Sequence, residues 1–147
     1  MSSKKKLVEI CHKVYVNGFV TAYDGNISCR TSKNTVLITR SGICKGDVKE
    51  KDIVEIDLNG KVLKGKQKIS TEHKIHLYAY KKRKEVNSVV HCHPAYATAF
   101  TLLGEGLENH YLPEVFLTFG KIPLCKYATP STNEVSQPTY NEKYNKT

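Results

Sequence analysis

Three features of the 147-residue sequence predict an α/β fold: short β-branched runs, amphipathic helical stretches between them, and turn residues at the junctions. The clearest strand is Thr35-Val36-Leu37-Ile38-Thr39, broken at once by Arg40-Ser41-Gly42. The clearest helix spans 4–17. There Leu7, Ile10, Cys11, Val14 and Tyr15 recur at helical spacing, and Gly18 is placed to end it.

The remaining elements follow in order. Tyr23-Asp24-Gly25-Asn26 has turn chemistry, and Ile27 to Arg30 then alternates like a strand. Val54-Glu55-Ile56-Asp57-Leu58 alternates as a half-buried strand, and Asn59-Gly60 marks a hairpin whose return begins at Val62-Leu63. Residues 70–80 read as a helix capped by Ser70 or Thr71, with Glu72 in the first turn and Ile75, Tyr78 and Ala79 as the buried face. His73 and His76 lie in its body and read as structural or solvent-facing. Val89 to His93 reads as a buried strand, and Pro94 leads into an apolar helix over 95–103. One domain over residues 1–136 and an irregular polar tail over 137–147 are expected.

Composition excludes several function classes. No apolar run is long enough to span a bilayer, and the Lys4-Lys5-Lys6 start is followed by an amphipathic stretch, unlike a secretory signal. Five scattered cysteines without a C-x-x-C pair suit reduced thiols in the cytoplasm. The net charge of +9 comes from lysines spread along the whole chain, with no recognition motif for DNA or RNA. Dispersed lysine fits a solvated surface and anionic small substrates, so neither nucleic acid nor a membrane is expected as a partner.

The chemistry-bearing stretch is His91-Cys92-His93-Pro94. Side chains alternate along a strand, so His91 and His93 emerge on one face and can converge on one divalent ion. Asn26, in its turn, can cap its own backbone or aim its amide, beside exposed N–H groups, at an anion. Ser41-Gly42, a hydroxyl followed by glycine at a strand end, permits close backbone approach to a phosphate, and turn-making explains it equally well. Ser70 and Thr71, at a helix start, offer hydroxyls and N–H groups to an anion.

Five segments carry a resemblance: Gly25-Asn26-Ile27-Ser28, Ile38-Thr39-Arg40-Ser41-Gly42, Ser70-Thr71-Glu72, His91-Cys92-His93-Pro94 and Tyr127-Ala128-Thr129-Pro130-Ser131-Thr132. In order and spacing the chain resembles the class II aldolase/adducin family, from the first helix to about residue 136. Within that family it is nearest to L-fuculose-phosphate aldolase-like members. The resemblance implies a three-layer α/β/α domain around a central mixed, mostly antiparallel sheet, assembled as a homotetramer. It also implies zinc or another divalent metal on His91 and His93, with Glu72 as a further metal ligand or as the catalytic acid/base. The substrate phosphate would lie among Gly25, Asn26, Ser41, Gly42, Ser70 and Thr71.

The implied reaction is cleavage of a ketose 1-phosphate to dihydroxyacetone phosphate and an aldehyde. It leaves an ene-diolate, whose charge a Lewis acid stabilises and whose carbon a carboxylate protonates. The same scaffold admits a pentulose-phosphate 4-epimerase, a methylthioribulose-phosphate dehydratase or a non-catalytic adducin-like assembly module. The sequence departs from the family pattern twice. Arg40 stands where relatives carry proline, and no histidine follows His110 and no His-Gly pair occurs, although the family completes its metal site with one. His110 comes before the Tyr127 segment and is out of order for that ligand. The expectation is therefore a C-terminally truncated chain.

Overall fold

The computed structural model describes residues 2–106, 113–120, 122–129, 132 and 134. Helix α1 (Ser3–Val16) opens the chain, with the Ser2 hydroxyl accepting from the Lys5 N–H as its N-cap. It closes at Gly18, φ +69°, where Gly18 N–H reaches Tyr15 O and Phe19 N–H reaches Val14 O. Those two bonds satisfy carbonyls that the helix end would otherwise leave bare.

Strands β1 (Asn26–Ser32), β2 (Thr35–Thr39), β3 (Ile53–Asp57) and β4 (Val62–Lys64) form a meander. The chain then crosses through α2 (His73–Lys82) and returns as β5 (Ser88–His91) on the far side of β1. The strand order is β4-β3-β2-β1-β5. Every pairing among the described residues is antiparallel, so the mixed character expected of the sheet is absent from this part of the chain. Asp57 closes the β3–β4 hairpin, its carboxylate accepting from the N–H groups of Asn59 and Lys61.

Apolar side chains fill both faces of the sheet. Ile27, Leu37 and Ile53 meet Leu7, Cys11 and Val14 of α1, while Val36, Ile38, Val54 and Ile56 meet Leu77 and Tyr80 of α2. Full burial of each such side chain stabilises the fold by about 1.5–3 kcal/mol, so the two clusters dominate its energetics. Helix α2 buries His76, Leu77 and Tyr80, a face one residue further on than the sequence suggested; Ile75, Tyr78 and Ala79 are half-buried. Glu72 is its N-cap residue rather than part of its first turn. Helices α3 (Ala95–Leu102) and α4 (Pro113–Phe119) are apolar yet outward-facing: α3 buries no residue, and Tyr96 is 88% exposed.

The sequence reading carried the final strand through His93. Pairing stops at His91, opposite Asn26, because Asn26 is the first residue of β1 and nothing beyond it can extend the ladder. The antiparallel order has a consequence for the site. β1 begins at the end of the sheet where β2 and β5 finish, so Gly25-Asn26, Ser41-Gly42 and His91-His93 meet there. His110 and the tail over 137–147 lie outside the described residues.

Candidate active site

The junction of these chain ends encloses a cavity of about 250 Å3. Gly25, Asn26, Ser41, Gly42, Ser70, Glu72 and His93, all singled out from sequence, line it together with Tyr23, Asp24, Arg40 and Lys45. Thr71 is exposed and His91 half-buried, and neither is among the lining residues.

Gly25 is required by its surroundings. Its φ is +68°, and a Cβ there would stand 2.7 Å from the His91 carbonyl oxygen and 2.6 Å from Val20 Cγ1. Gly25→Ala is expected to destabilise the protein by at least about 1–3 kcal/mol, with the His91 end of β5 displaced. Thermal melting reads the first effect, and the amide shifts of residues 88–93 read the second. An unchanged melt would show that the turn relaxes freely.

The Arg40-Ser41-Gly42 strap is pinned by contacts across the chain. Ser41 N–H donates to Lys68 O at 2.8 Å, so the hydroxyl of Ser41, not its amide, is what the cavity can use. Arg40 Nε donates to Asp52 Oδ1 at 2.8 Å, and its Nη1 reaches the carbonyls of Ser41 and Gly42. Burial alone would push the Asp52 carboxyl up. The ionic bond from Arg40 and the N–H of Lys49 outweigh it and hold the group below its usual range. Arg40 thus ties the strap to Asp52. Gly42, φ +64°, has open space where a Cβ would be, so its conformation and not its packing calls for glycine.

Glu72 makes no capping bond to α2 because its carboxylate turns into the site. Asn26 Nδ2 donates to Glu72 Oε2 at 2.7 Å, and more weakly to Ser70 Oγ at 3.4 Å. Ser70 Oγ also accepts from the Glu72 N–H, leaving its own hydrogen to point elsewhere.

Behind Asn26 runs a buried polar chain that the sequence reading missed. With its amide nitrogen on Glu72, Asn26 presents Oδ1 to His76 Nε2, 2.5 Å away. An amide oxygen only accepts, so His76 carries its proton on Nε2 and its Nδ1 accepts. Ser28 Oγ lies 2.6 Å from that Nδ1 and 2.7 Å from Tyr80 Oη, which fixes the direction Tyr80 to Ser28 to His76 to Asn26. Burial pushes His76 down to about 3, with His91 and His73 adding to the shift, and pushes Tyr80 up to about 12. Both stay neutral in the folded protein. His76 was read as structural or solvent-facing; it is fully buried, and its i, i+4 spacing from Glu72 on the same helix was the available signal.

The rings of His91 and His93 lie with centroids 4.9 Å apart. His91 Nδ1 is buried without an aligned hydrogen-bond partner, and Glu72 Oε2 is 3.5 Å from it. A buried ring nitrogen left without a partner is costly unless something else occupies it. Burial lowers the His91 pKa and His93 lowers it further, against the pull of Glu72. The neutral imidazole so favoured is the form that ligates metals. These groups fit a divalent ion by chemistry and proximity. Among the described residues no three His, Cys, Asp or Glu side chains are already drawn together at ligand spacing.

The strand ends of this antiparallel sheet thus bring together hydroxyls, glycine turns, a carboxylate and a histidine pair. Residues 5–145 match the family described as Class II Aldolase and Adducin N-terminal domain, and the chain belongs to that family. It is 37% identical over 133 residues to an L-fuculose phosphate aldolase of Methanococcus vannielii, covering 90% of this chain and 71% of that one. It is 36% identical over 119 residues to a methylthioribulose-1-phosphate dehydratase of Acidiphilium cryptum, covering 78% of this chain and 56% of that one. A solved L-fuculose 1-phosphate aldolase superposes with a TM-score of 0.85 at 30% identity, over 94% of this chain and 66% of that one. The chain therefore spans about two thirds of the length of that solved relative. No helix among the described residues is long and apolar enough to cross a membrane.

Proposed function

We propose that this chain is the N-terminal part of a divalent-metal-dependent sugar-phosphate aldolase, similar to L-fuculose-phosphate aldolase. Its reaction is cleavage of a ketose 1-phosphate to dihydroxyacetone phosphate and an aldehyde. The observation that carries this reading is Glu72. Its carboxylate is held by Asn26 beside a histidine with an unpartnered buried nitrogen, at the wall of a cavity rich in hydroxyls.

His91 and His93, with Glu72, would hold a zinc or similar ion, which when bound supplies Lewis acidity to the carbonyl and hydroxyl oxygens of the substrate. In the condensation direction Glu72 takes the α-proton of dihydroxyacetone phosphate. In cleavage the hydroxyl on the carbon that becomes the aldehyde gives its proton to solvent as the carbon–carbon bond breaks, and Glu72 then returns a proton to the carbon left on the dihydroxyacetone phosphate side. Asn26 orients the carboxylate for both steps, and His76 orients Asn26. On this reading the phosphate lies among Gly25, Asn26, Ser41, Gly42, Ser70 and Thr71. Anchoring the phosphate holds the reacting carbons against Glu72.

The complete protein on this reading is a cytoplasmic three-layer α/β/α homotetramer. The outward apolar surface of α3 and α4 supports further association, since Leu102 and Leu117 are 84% and 82% exposed. A dehydratase is the second reading, favoured by the similarity to the methylthioribulose-1-phosphate enzyme. The test supplies the zinc-loaded protein with L-fuculose 1-phosphate and, separately, 5-methylthioribulose 1-phosphate. Release of dihydroxyacetone phosphate from the first supports the aldolase. Loss of water from the second, with the first untouched, replaces it with the dehydratase.

A further inference from the structure

Lys45 is 1% exposed, and its Nζ donates to Ile43 O at 2.9 Å. No carboxylate among the described residues stands within ion-pair distance of it. An ammonium taken out of water without a direct ion pair is costly, and burial lowers its pKa, against the more distant pull of Cys11 and of Asp24 on the same wall. Yet this side chain lines the same cavity as Asn26, Ser41, Gly42 and Ser70.

The other charges on that wall are committed. Asp24 Oδ1 accepts from the Thr21 N–H at 2.6 Å and from the Thr21 hydroxyl at 3.1 Å. Arg40 is clamped to Asp52, and Glu72 is bonded to Asn26. Lys45 has three N–H donors and one carbonyl partner. It is the cation with donors to spare, three residues beyond the Ser41-Gly42 turn.

We propose that Lys45 is the cationic anchor of the cavity, supplying the counter-charge for the phosphate of the substrate and selecting phosphorylated over unphosphorylated sugars. This rests on the reading of the cavity as a phosphate site. A dianionic phosphate satisfies the buried ammonium, and the ammonium strengthens binding that hydroxyls alone would leave weak. The sequence concealed the residue because one lysine among many reads as a solvated surface group.

The test compares wild type with Lys45→Met, an unbranched apolar side chain of similar length, using inorganic phosphate as the probe. Phosphate is titrated at constant ionic strength set by chloride, and binding is read by calorimetry and melting temperature. Wild type is expected to bind saturably and melt higher with phosphate. K45M is expected to melt no lower than wild type without phosphate, because an unpaired buried charge has been removed, and to bind phosphate at least tenfold more weakly. For a ketose 1-phosphate, KM should rise more than kcat falls. Equal phosphate affinity in both proteins overturns the role of Lys45 and leaves the phosphate reading standing. No saturable phosphate binding by wild type overturns both. Should K45M not fold, Lys45→Gln is read by the same titration.

Discussion

Replacing Glu72 with glutamine is expected to lower kcat for ketose 1-phosphate cleavage by about 10²–10⁴-fold, the usual worth of a positioned acid/base group. Glutamine keeps the length of the side chain and can still accept from Asn26 Nδ2, so the 2.7 Å bond that orients the group survives. It cannot take or return a proton. The fold should hardly change, because Glu72 provides no capping bond to α2 and is only half-buried. Phosphate affinity should also persist. A Glu72→Gln protein with more than a tenth of wild-type kcat would remove Glu72 from the proton transfer and leave it as a ligand at most.

The second large effect concerns His76 and acid. With a folded pKa near 3 and an ordinary value of 6.5, His76 accepts a proton far more readily when unfolded. The sign follows directly. Below pH 6.5 the unfolded chain binds a proton that the native protein refuses, so stability falls as pH falls, down to about pH 3. Between pH 7 and pH 5 this one side chain should cost about 2 kcal/mol. His76→Gln has nothing to titrate there and should lose that much less stability over the same interval, although its stability at pH 7 is lower. Urea unfolding of both proteins at pH 7 and pH 5 measures the difference. Parallel losses in the two would show that His76 titrates normally and that the buried chain from Tyr80 to Asn26 is not as drawn. Truncation to alanine would leave Ser28 and Asn26 unsatisfied in the core and should cost about 3 kcal/mol or more at neutral pH.

What the sequence disclosed was the local part of the design. β2 occupies the run of β-branched residues that announced it, and the Asn59-Gly60 turn joins β3 to β4. Gly18 ends α1 as its position suggested. That Asn26, Ser41, Ser70 and Glu72 would come together at one cavity was legible because each stands beside a turn glycine or a helix start that the motifs marked. The surroundings of His76, Lys45 and Arg40 were set by residues distant in the chain. His76 acquires meaning only when Ser28, 48 positions away, is folded against it, and Arg40 only when Asp52 closes on it. The phase of α2 was misjudged by one residue for the same reason: polar His76 takes a core position because Asn26 and Ser28 satisfy it there. Periodicity read on apolar residues alone passes over such a position.

Family membership accounts for the shared fold, and an assembly module would share it too. Such a module would have no use for a carboxylate oriented by a buried histidine relay, or for a histidine whose buried nitrogen lacks a partner. Metal binding by His91 and His93 therefore separates an enzyme site from a scaffold most directly. The measurement is zinc stoichiometry and affinity of the purified chain, beside a His91→Ala/His93→Ala double variant. One tightly bound zinc per chain, lost in the double variant while its melting temperature holds, is the result expected. Zinc bound equally by both proteins, or by neither, would contradict the assignment of this histidine pair as the metal site.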